Sequence, residues 1–339
     1  MKIGGFDTAE RVMVVAEIGN NHEGDADRAF RLLEAAADAG ADAVKFQTYQ
    51  TAEFVGRADP ARFERLRRFE LPWEVFPRLA RRARERGLRF LSTPLDLESA
   101  RRLSTCVDAF KIASGDNLFL PLLETVASYP LPTLVSLGLT DEAAARAVLA
   151  TLDRLWPPAG GASERVGVLH CVTAYPVPPE QANVSTVRTL AGWTALTVGY
   201  SDHRLGAAAC RAAVALGARV IEKHFTLDKA FSDFRDHAIS ADPADLADLV
   251  RGVRETERLL GRPGKWVLPV EKDLMVAARR SIVAARSLSK GRTLASADLR
   301  WVRPGGGWAP GREKELLGRR LSRDVPEGAR LSVDDLEPA

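Results

Sequence analysis

The sequence predicts an α/β protein, a closed (β/α)8 TIM barrel of about 260 residues followed by a small β-rich module. Three observations carry this. The first 260 residues repeat one unit eight times, a short strand of β-branched and aromatic residues followed by an Ala- and Arg-rich amphipathic helix. The strands are apolar along nearly their whole length, so both of their faces need cover, which crossover helices on a parallel sheet supply. Beyond Gly261 the helical periodicity stops, and short alternating stretches with turn signals begin. Eight such units in about 250 residues is the count of a closed barrel. No GxGxxG follows the first strand, as an open dinucleotide-binding sheet would require.

In chain order the strands are VMVVAEIG (12–19), DAVKFQT (42–48), LRFLSTP (88–94), DAFKIASG (108–115), PTLVSLG (132–138), RVGVLHCVT (165–173), ALTVGYSD (195–202) and RVIEKHFT (219–226). Between them DRAFRLLEAAADAG, WEVFPRLARRARERG and ACRAAVALG read as helices, each closing on a glycine suited to a left-handed C-cap. The eighth helix, PADLADLVRGVRETERLLG, ends at Gly261. Residues 1–261 are therefore assigned to the barrel, 262–279 to a Pro/Gly-marked linker and 280–339 to the β-rich module, whose turns fall at Lys290-Gly291 and Glu327-Gly328.

Lys and Arg number 48 against 45 Asp and Glu, a formal net charge of +3. The balance is uneven: residues 262–339 hold 16 basic and 10 acidic residues, a net +6, which leaves −3 on the first 261. Nothing here resembles the strongly basic face or run that nucleic acid or an anionic membrane requires, so neither is expected as a partner. There is no run of 18 apolar residues and no leader-like N-terminus, and a soluble, cytoplasmic protein is expected. Cys106, Cys171 and Cys210 are odd in number, far apart and without a CxxC, and are read as small buried hydrophobes.

The working face of such a barrel lies at the C-terminal ends of its strands, and nearly every strand here ends in polar residues. The first brings Glu17 followed by NNHEG, the second Lys45 and Gln47, the third Ser92 and Thr93, and the fourth Lys111, Ser114 and Asp116. The fifth brings Ser136; the sixth His170, Thr173 and Tyr175; the seventh Ser201, Asp202 and His203; the eighth Glu222, Lys223 and His224. Two lysines among small hydroxyls, with no compensating cluster of acids, read as a pocket for phosphate or carboxylate. His203 and His224 end neighbouring strands, about 4.8 Å apart, so both imidazoles reach one ion. A two-histidine site with open positions suits octahedral Mn2+ or Mg2+ better than tetrahedral Zn2+. His22 and His237 read as loop residues in contact with substrate, and His170 as structural.

Eight ordered motifs then resemble the sialic acid (N-acetylneuraminate and related nonulosonic acid) synthase family: AEIGNNHEG (16–24), DAVKFQT, FLSTP, KIASGD (111–116), LHCVTAYP (169–176), YSDH (200–203), IEKHFTLD (221–228) and RDHAIS (235–240). The tail resembles that family's antifreeze-like SAF domain, with WVRPGGG (301–307) its clearest match. The resemblance implies a transferase that condenses phosphoenolpyruvate with an open-chain aldose, and a metal, Mn2+ favoured over Mg2+, on His203 and His224. It implies phosphoenolpyruvate contacts at Lys45, Thr93, Lys111, Ser114, Ser136 and Ser201. Sugar contacts fall at Gln47, Tyr175 and Asp236, with Thr173 near the reactants and Glu17 as an acidic residue of the reacting centre. It further implies a domain-swapped homodimer in which Arg303 crosses to the neighbouring site. The chain departs from the family pattern with Asp116 in place of Glu, Leu137 in place of a phosphate-side hydroxyl residue, and Thr173 in place of Asn.

On this reading the ion polarises the sugar aldehyde, C3 of phosphoenolpyruvate attacks it, and water, assisted by Glu17 or Asp116, adds at C2 before phosphate leaves. Two alternatives stand beside it: a Schiff-base aldolase or lyase using Lys111 or Lys45, and a non-catalytic carbohydrate-binding protein that works through the SAF module.

Overall fold

The computed structural model describes residues 1–157 and 164–338. The chain forms two compact units, Met1–Gly261 and Arg262–Ala339. In the first, eight parallel strands close into a barrel: β1 Met13–Gly19, β2 Ala43–Thr48, β3 Arg89–Pro94, β4 Ala109–Ile112, β5 Thr133–Ser136, β6 Val166–Cys171, β7 Thr197–Asp202 and β8 Val220–His224. Each pairs with its neighbours in sequence, and β8 closes on β1 in a register running from Val220 opposite Met13 to His224 opposite Glu17. Four of the helices that follow the strands start on side-chain caps: Asp25, Asp96, Asp141 and Asp242 each accept the amide of the residue three positions on, at 2.7–3.0 Å. Such a cap stabilises a helix by about 1 kcal/mol. Gly40, Gly87 and Gly217 follow helix ends at φ 85°, 76° and 104°, the left-handed turn that breaks the helix before the next strand. No helix among the described residues is long and apolar enough to cross a membrane.

The pleat sorts each strand's side chains into two sets. Val14, Ala16, Val44, Phe46, Phe90, Phe110, Val135, Val168, Val198 and Ile221 face outward and pack with the helices in the main core. One position out of phase, Met13, Val15, Ala43, Leu91, Ala109, Leu134, Leu169 and Val220 fill the barrel interior. A short N-terminal ribbon, Lys2–Ile3 paired with Phe6–Asp7, adds Ile3 and Phe6 to that interior cluster. The lower barrel is thus solid hydrocarbon. Continuing the same phase upward along the strands brings the side chains from apolar to polar, which is how the fold positions the site.

In the second unit β9 (Ser281–Ala284) and β10 (Leu299–Val302) pair antiparallel. They pack over a core that includes Ile282, Leu294, Leu316, Leu321 and Leu331. Buried Asp298 accepts from the guanidinium groups of Arg286 and Arg292. Burial alone would raise its carboxyl, but those two arginines and the Ala295 amide hold it at about 2. Part of the stretch read as linker is helical, Lys272–Ala278, a run of good helix formers.

Gly199 tests the interior packing. A methyl group there would lie 2.5 Å from both Leu169 Cδ2 and the Val220 carbonyl oxygen. The backbone oxygen cannot swing aside as a side chain does. Gly199→Ala is expected to cost about 2 kcal/mol or more, seen as a lower urea midpoint; an unchanged midpoint contradicts the packing described.

Candidate active site

Above the apolar layer the inward phase supplies Glu17 on β1, Lys45 and Gln47 on β2, Thr93 on β3, Lys111 on β4, Ser136 on β5, Cys171 on β6, Ser201 on β7, and Glu222 and His224 on β8. Loops add Ser114 and Asp116 from the turn after β4, Thr173 and Tyr175 from the segment after β6, and His203 directly after β7. All line one cavity of about 390 Å3, together with Phe54, Arg62, Leu95 and Ala113.

Its floor is a buried cluster of four charges. Lys45 Nζ lies 2.8 Å from Glu17 Oε2 and 3.6 Å from Glu222 Oε2, and Lys111 Nζ lies 3.8 Å from Glu222 Oε1. Gln47 donates to Glu17 at 3.2 Å, Ser201 to Glu222 at 2.9 Å, and Lys45 to Thr93 Oγ1 at 3.2 Å. This corrects the expectation of lysines without compensating acids: β1 lies between β8 and β2, and its register sets Glu17 opposite Lys45. Removing charge from water at this depth is tolerable only with such pairing. Burial pushes the Glu17 carboxyl up, and Glu222 adds to that, with Lys45 opposing. Glu222, though equally buried, sits between both lysines and is held below the ordinary range. Burial lowers Lys111, and Glu222 only partly restores it. The two carboxylates therefore divide their roles, with Glu222 the fixed anion and Glu17 the one that takes a proton more readily.

The histidine pair stands at the rim. The rings of His203 and His224 have centroids 5.2 Å apart at 60°. His203 Nδ1 donates to the Val172 carbonyl at 2.8 Å, which directs the Nε2 lone pair elsewhere, the arrangement that prepares an imidazole for a metal. Burial, then His203 and the lysines, hold His224 well below its ordinary value, so its ring stays neutral with a lone pair available. His224 Nδ1 is buried and has no hydrogen-bond partner. These features fit a divalent cation. No third Cys, His, Asp or Glu joins them in a metal-binding group among the described residues, and a bound ion would take its other ligands from water or substrate. Tyr175 stacks on His203 at 4.3 Å, and the Arg235 guanidinium covers Tyr175 at 4.5 Å. Asp236 is buried with Oδ2 3.9 Å from His224 Nδ1, and burial pushes its carboxyl up. Asp116 is likewise raised by burial, with Lys111 opposing. Ser136 Oγ and Thr173 Oγ1 are buried without partners. A buried hydroxyl left unpaired costs about 1–3 kcal/mol, which a bound oxyanion or sugar hydroxyl recovers.

Several strand-end residues fall outside the site because they sit on the other phase. Ser92 donates to the Phe46 carbonyl at 3.1 Å, and Lys223 is buried in a pair with Asp202 at 2.9 Å, facing the helices. Leu137 also belongs to the outer core. His22 and His237, expected to touch substrate, are structural. His22 is buried with its pKa pushed down to about 3 and Nδ1 accepting from the Gly24 amide, while His237 bridges Thr226 Oγ1 and Glu23 Oε1 at 2.7 and 3.2 Å. His170 is bonded to the Ala182 carbonyl at 3.0 Å. Arg303 is exposed on the second unit, directly after β10. The lining residues not singled out for the site in the sequence include Cys171, Phe54 and Arg62, along with Leu95 and Ala113. Cys171 shares its phase with Leu169 and was legible by alternation, whereas Phe54 and Arg62 come from helices after β2 and carry no local signal.

Barrel and rim cavity together define a (β/α)8-barrel enzyme with its site at the strand ends. More closely, the chain belongs to the NeuB family, whose model matches residues 32–265, and an SAF domain matches residues 279–337. It is 36% identical to the N,N'-diacetyllegionaminic acid synthase of Legionella pneumophila, over 96% of this chain and 94% of that protein. It is 33% identical to the human N-acetylneuraminate-9-phosphate synthase, over 93% of this chain and 89% of that protein. Among solved structures, the N-acetylneuraminic acid (sialic acid) synthetase of Leptospira borgpetersenii in complex with citrate is 32% identical with a TM-score of 0.73, covering 81% of this chain and 92% of that one.

Glu222 is the counterion of both lysines, so Glu222→Gln leaves two buried cations with one carboxylate. A loss of about 3 kcal/mol is expected, read as a lower urea midpoint near neutral pH. Stability equal to wild type contradicts the assigned pairing.

Proposed function

We propose that this chain condenses phosphoenolpyruvate with an open-chain aldose of the amino-sugar class, giving a 3-deoxy-2-ulosonic acid and inorganic phosphate. The observation that carries the reading is one cavity wall that joins a buried lysine pair and unpartnered hydroxyls to two imidazoles prepared for a metal. The relatives' names support the reaction class. They also name different products, one of them phosphorylated, so the sugar's identity is the open part of the proposal.

Lys45, Lys111, Thr93, Ser114, Ser136 and Ser201 hold the phosphate and carboxylate of phosphoenolpyruvate. Gln47, Thr173, Tyr175 and Asp236 orient the sugar. Their contribution is positioning and electrostatic stabilisation of charge as it develops. His203 and His224 would hold Mn2+ or Mg2+, which when bound supplies Lewis-acid polarisation of the aldehyde oxygen. The net charge of the floor argues for that cation: two lysines and two carboxylates cancel, and a multiply charged anion needs positive charge from elsewhere. C3 of phosphoenolpyruvate forms a bond to the aldehyde carbon, water adds at C2, and the C2–O bond to phosphate breaks as the adduct collapses. Glu17, raised by burial, or Asp116, raised likewise, takes the proton from water. A homodimer in which a second copy supplies Arg303, and a cytoplasmic location, belong to the same proposal and rest on family resemblance.

The Schiff-base alternative has one favouring observation, that burial lowers Lys111 toward a nucleophilic amine. Borohydride with pyruvate separates the two, and no trapped adduct is expected. The direct assay is phosphate release from phosphoenolpyruvate with Mn2+ and a panel of N-acetylated, diacetamido, unacylated and phosphorylated aldoses. Release is expected with at least one amino sugar, and its absence with all of them overturns the reading. His203→Ala is expected to reduce release by about 1,000-fold or more with little change in melting temperature, an effect of the size found for lost electrostatic stabilisation. Full turnover by that variant, with chelator present, removes the metal from the proposal.

A further inference from the structure

The segment between β2 and the helix Val75–Glu85 forms a two-helix excursion, Thr51–Phe54 and Pro60–Phe69. Its two ends are clasped together: Glu70 Oε2 accepts from both the amide and the hydroxyl of Thr51, at 2.8 and 2.7 Å. The excursion is seated on the barrel along one face, with Leu66 buried against Tyr49 and Leu95, and Phe54, Val55 and Ala113 packed beside them. Tyr49 donates to the Leu66 carbonyl at 3.1 Å, and Phe69 meets Phe234 edge-on at 5.1 Å. Open spaces of about 370 and 590 Å3 flank it on either side of Gln50, Arg67 and Glu70. It is a flap clasped at its ends and seated along one face, and it places Phe54 and Arg62 on the wall of the active-site cavity.

Arg62 differs from the other cations of that cavity. Lys45 and Lys111 are neutralised by Glu17 and Glu222. Arg62 is exposed, its backbone amide caps onto Asp59 at 3.0 Å, and its guanidinium has no ion pair among the described residues. By contrast Arg67 on the same helix is paired with Glu64 at 2.7 Å. A planar fork of donors on a flap, facing a cavity whose other positive charges are already matched, suits a doubly charged phosphate better than a neutral sugar hydroxyl.

We propose that Arg62 is a phosphate-binding residue that the flap contributes to this site, and that its ligand is the phosphate monoester of phosphoenolpyruvate. This rests on the functional reading above. The same chemistry is offered by a phosphorylated aldose, and the experiment separates the two.

The test is the Kd of phosphoenolpyruvate, with Mn2+ present, for the full-length wild type, Arg62→Ala, Arg62→Lys and a control on the same helix, Arg65→Ala. Arg62→Ala is expected to weaken binding about 10-fold or more, the size of a charge-assisted hydrogen bond. Arg62→Lys is expected to recover part of the loss, with Arg65→Ala equal to wild type. Pyruvate, which lacks the phosphate, is expected to bind all four proteins alike, a readout that a merely structural role for Arg62 does not give. Wild-type affinity in Arg62→Ala overturns the clamp and leaves the functional reading standing, whereas a wild type that binds no phosphoenolpyruvate overturns both. If Arg62→Ala keeps its phosphoenolpyruvate affinity and loses only kcat/KM for an aldose 6-phosphate, the assigned ligand is wrong.

Discussion

The four charges on the floor of the cavity are the constraint around which the rest of the site is arranged. A barrel of eight strands has a filled interior, and here its upper layer contains two lysines that would be strongly destabilising if unmatched. Closure solves this by topology. Strand β8 returns to β1, which pairs with β2, so that Glu222, Glu17 and Lys45 come from neighbouring strands and Lys111 approaches from across the lumen. The cluster is electrically balanced but unequal. Glu222 is pinned by both lysines, and Glu17 is the member whose proton affinity rises with burial. A site built this way keeps a carboxylate of raised proton affinity beside cations without either drifting into solvent.

The rim completes what the floor begins. The imidazoles of His203 and His224 meet above it, one with its Nδ1 proton fixed by the Val172 carbonyl, the other buried and neutral. The unpartnered hydroxyls of Ser136 and Thr173 border the same cavity. On the proposed function, anion binding, cation binding and proton transfer would occupy successive levels of one strand phase. The lower levels of that phase are hydrocarbon, which gives the upper levels a rigid base and a low dielectric. Inside such a cavity each matched charge acts more strongly than it does in water.

Much of this was legible in the sequence, because repeated strand and helix patterns with glycine stops specify the barrel, and barrel topology alone makes strand ends converge. What a reading of strand ends misses is phase. Ser92, Asp202 and Lys223 stand beside true lining residues in the sequence and face the opposite way, while Glu222 is the counterion of both lysines rather than one more polar group. Alternation counted from Glu17 and Lys45 separates the two sets. His22 and His237 misled for a different reason: they lie beyond strand ends, where loops are ordinarily solvated, but tertiary packing buries them, His237 between two hydrogen-bond partners and His22 with one at Nδ1. Arg62 had no signal at all, since its place on the cavity wall depends on how a two-helix excursion folds back.

On the proposed function, C3 of phosphoenolpyruvate bonds to the aldehyde carbon, water adds at C2, and the C2–O bond to phosphate breaks. The most direct measurement is turnover with Mn2+ and an accepted aldose in water enriched in oxygen-18, followed by mass analysis of both products. Label in the ulosonic acid and none in the released phosphate is the predicted result. Label in the phosphate, the mark of water attacking phosphorus, contradicts it.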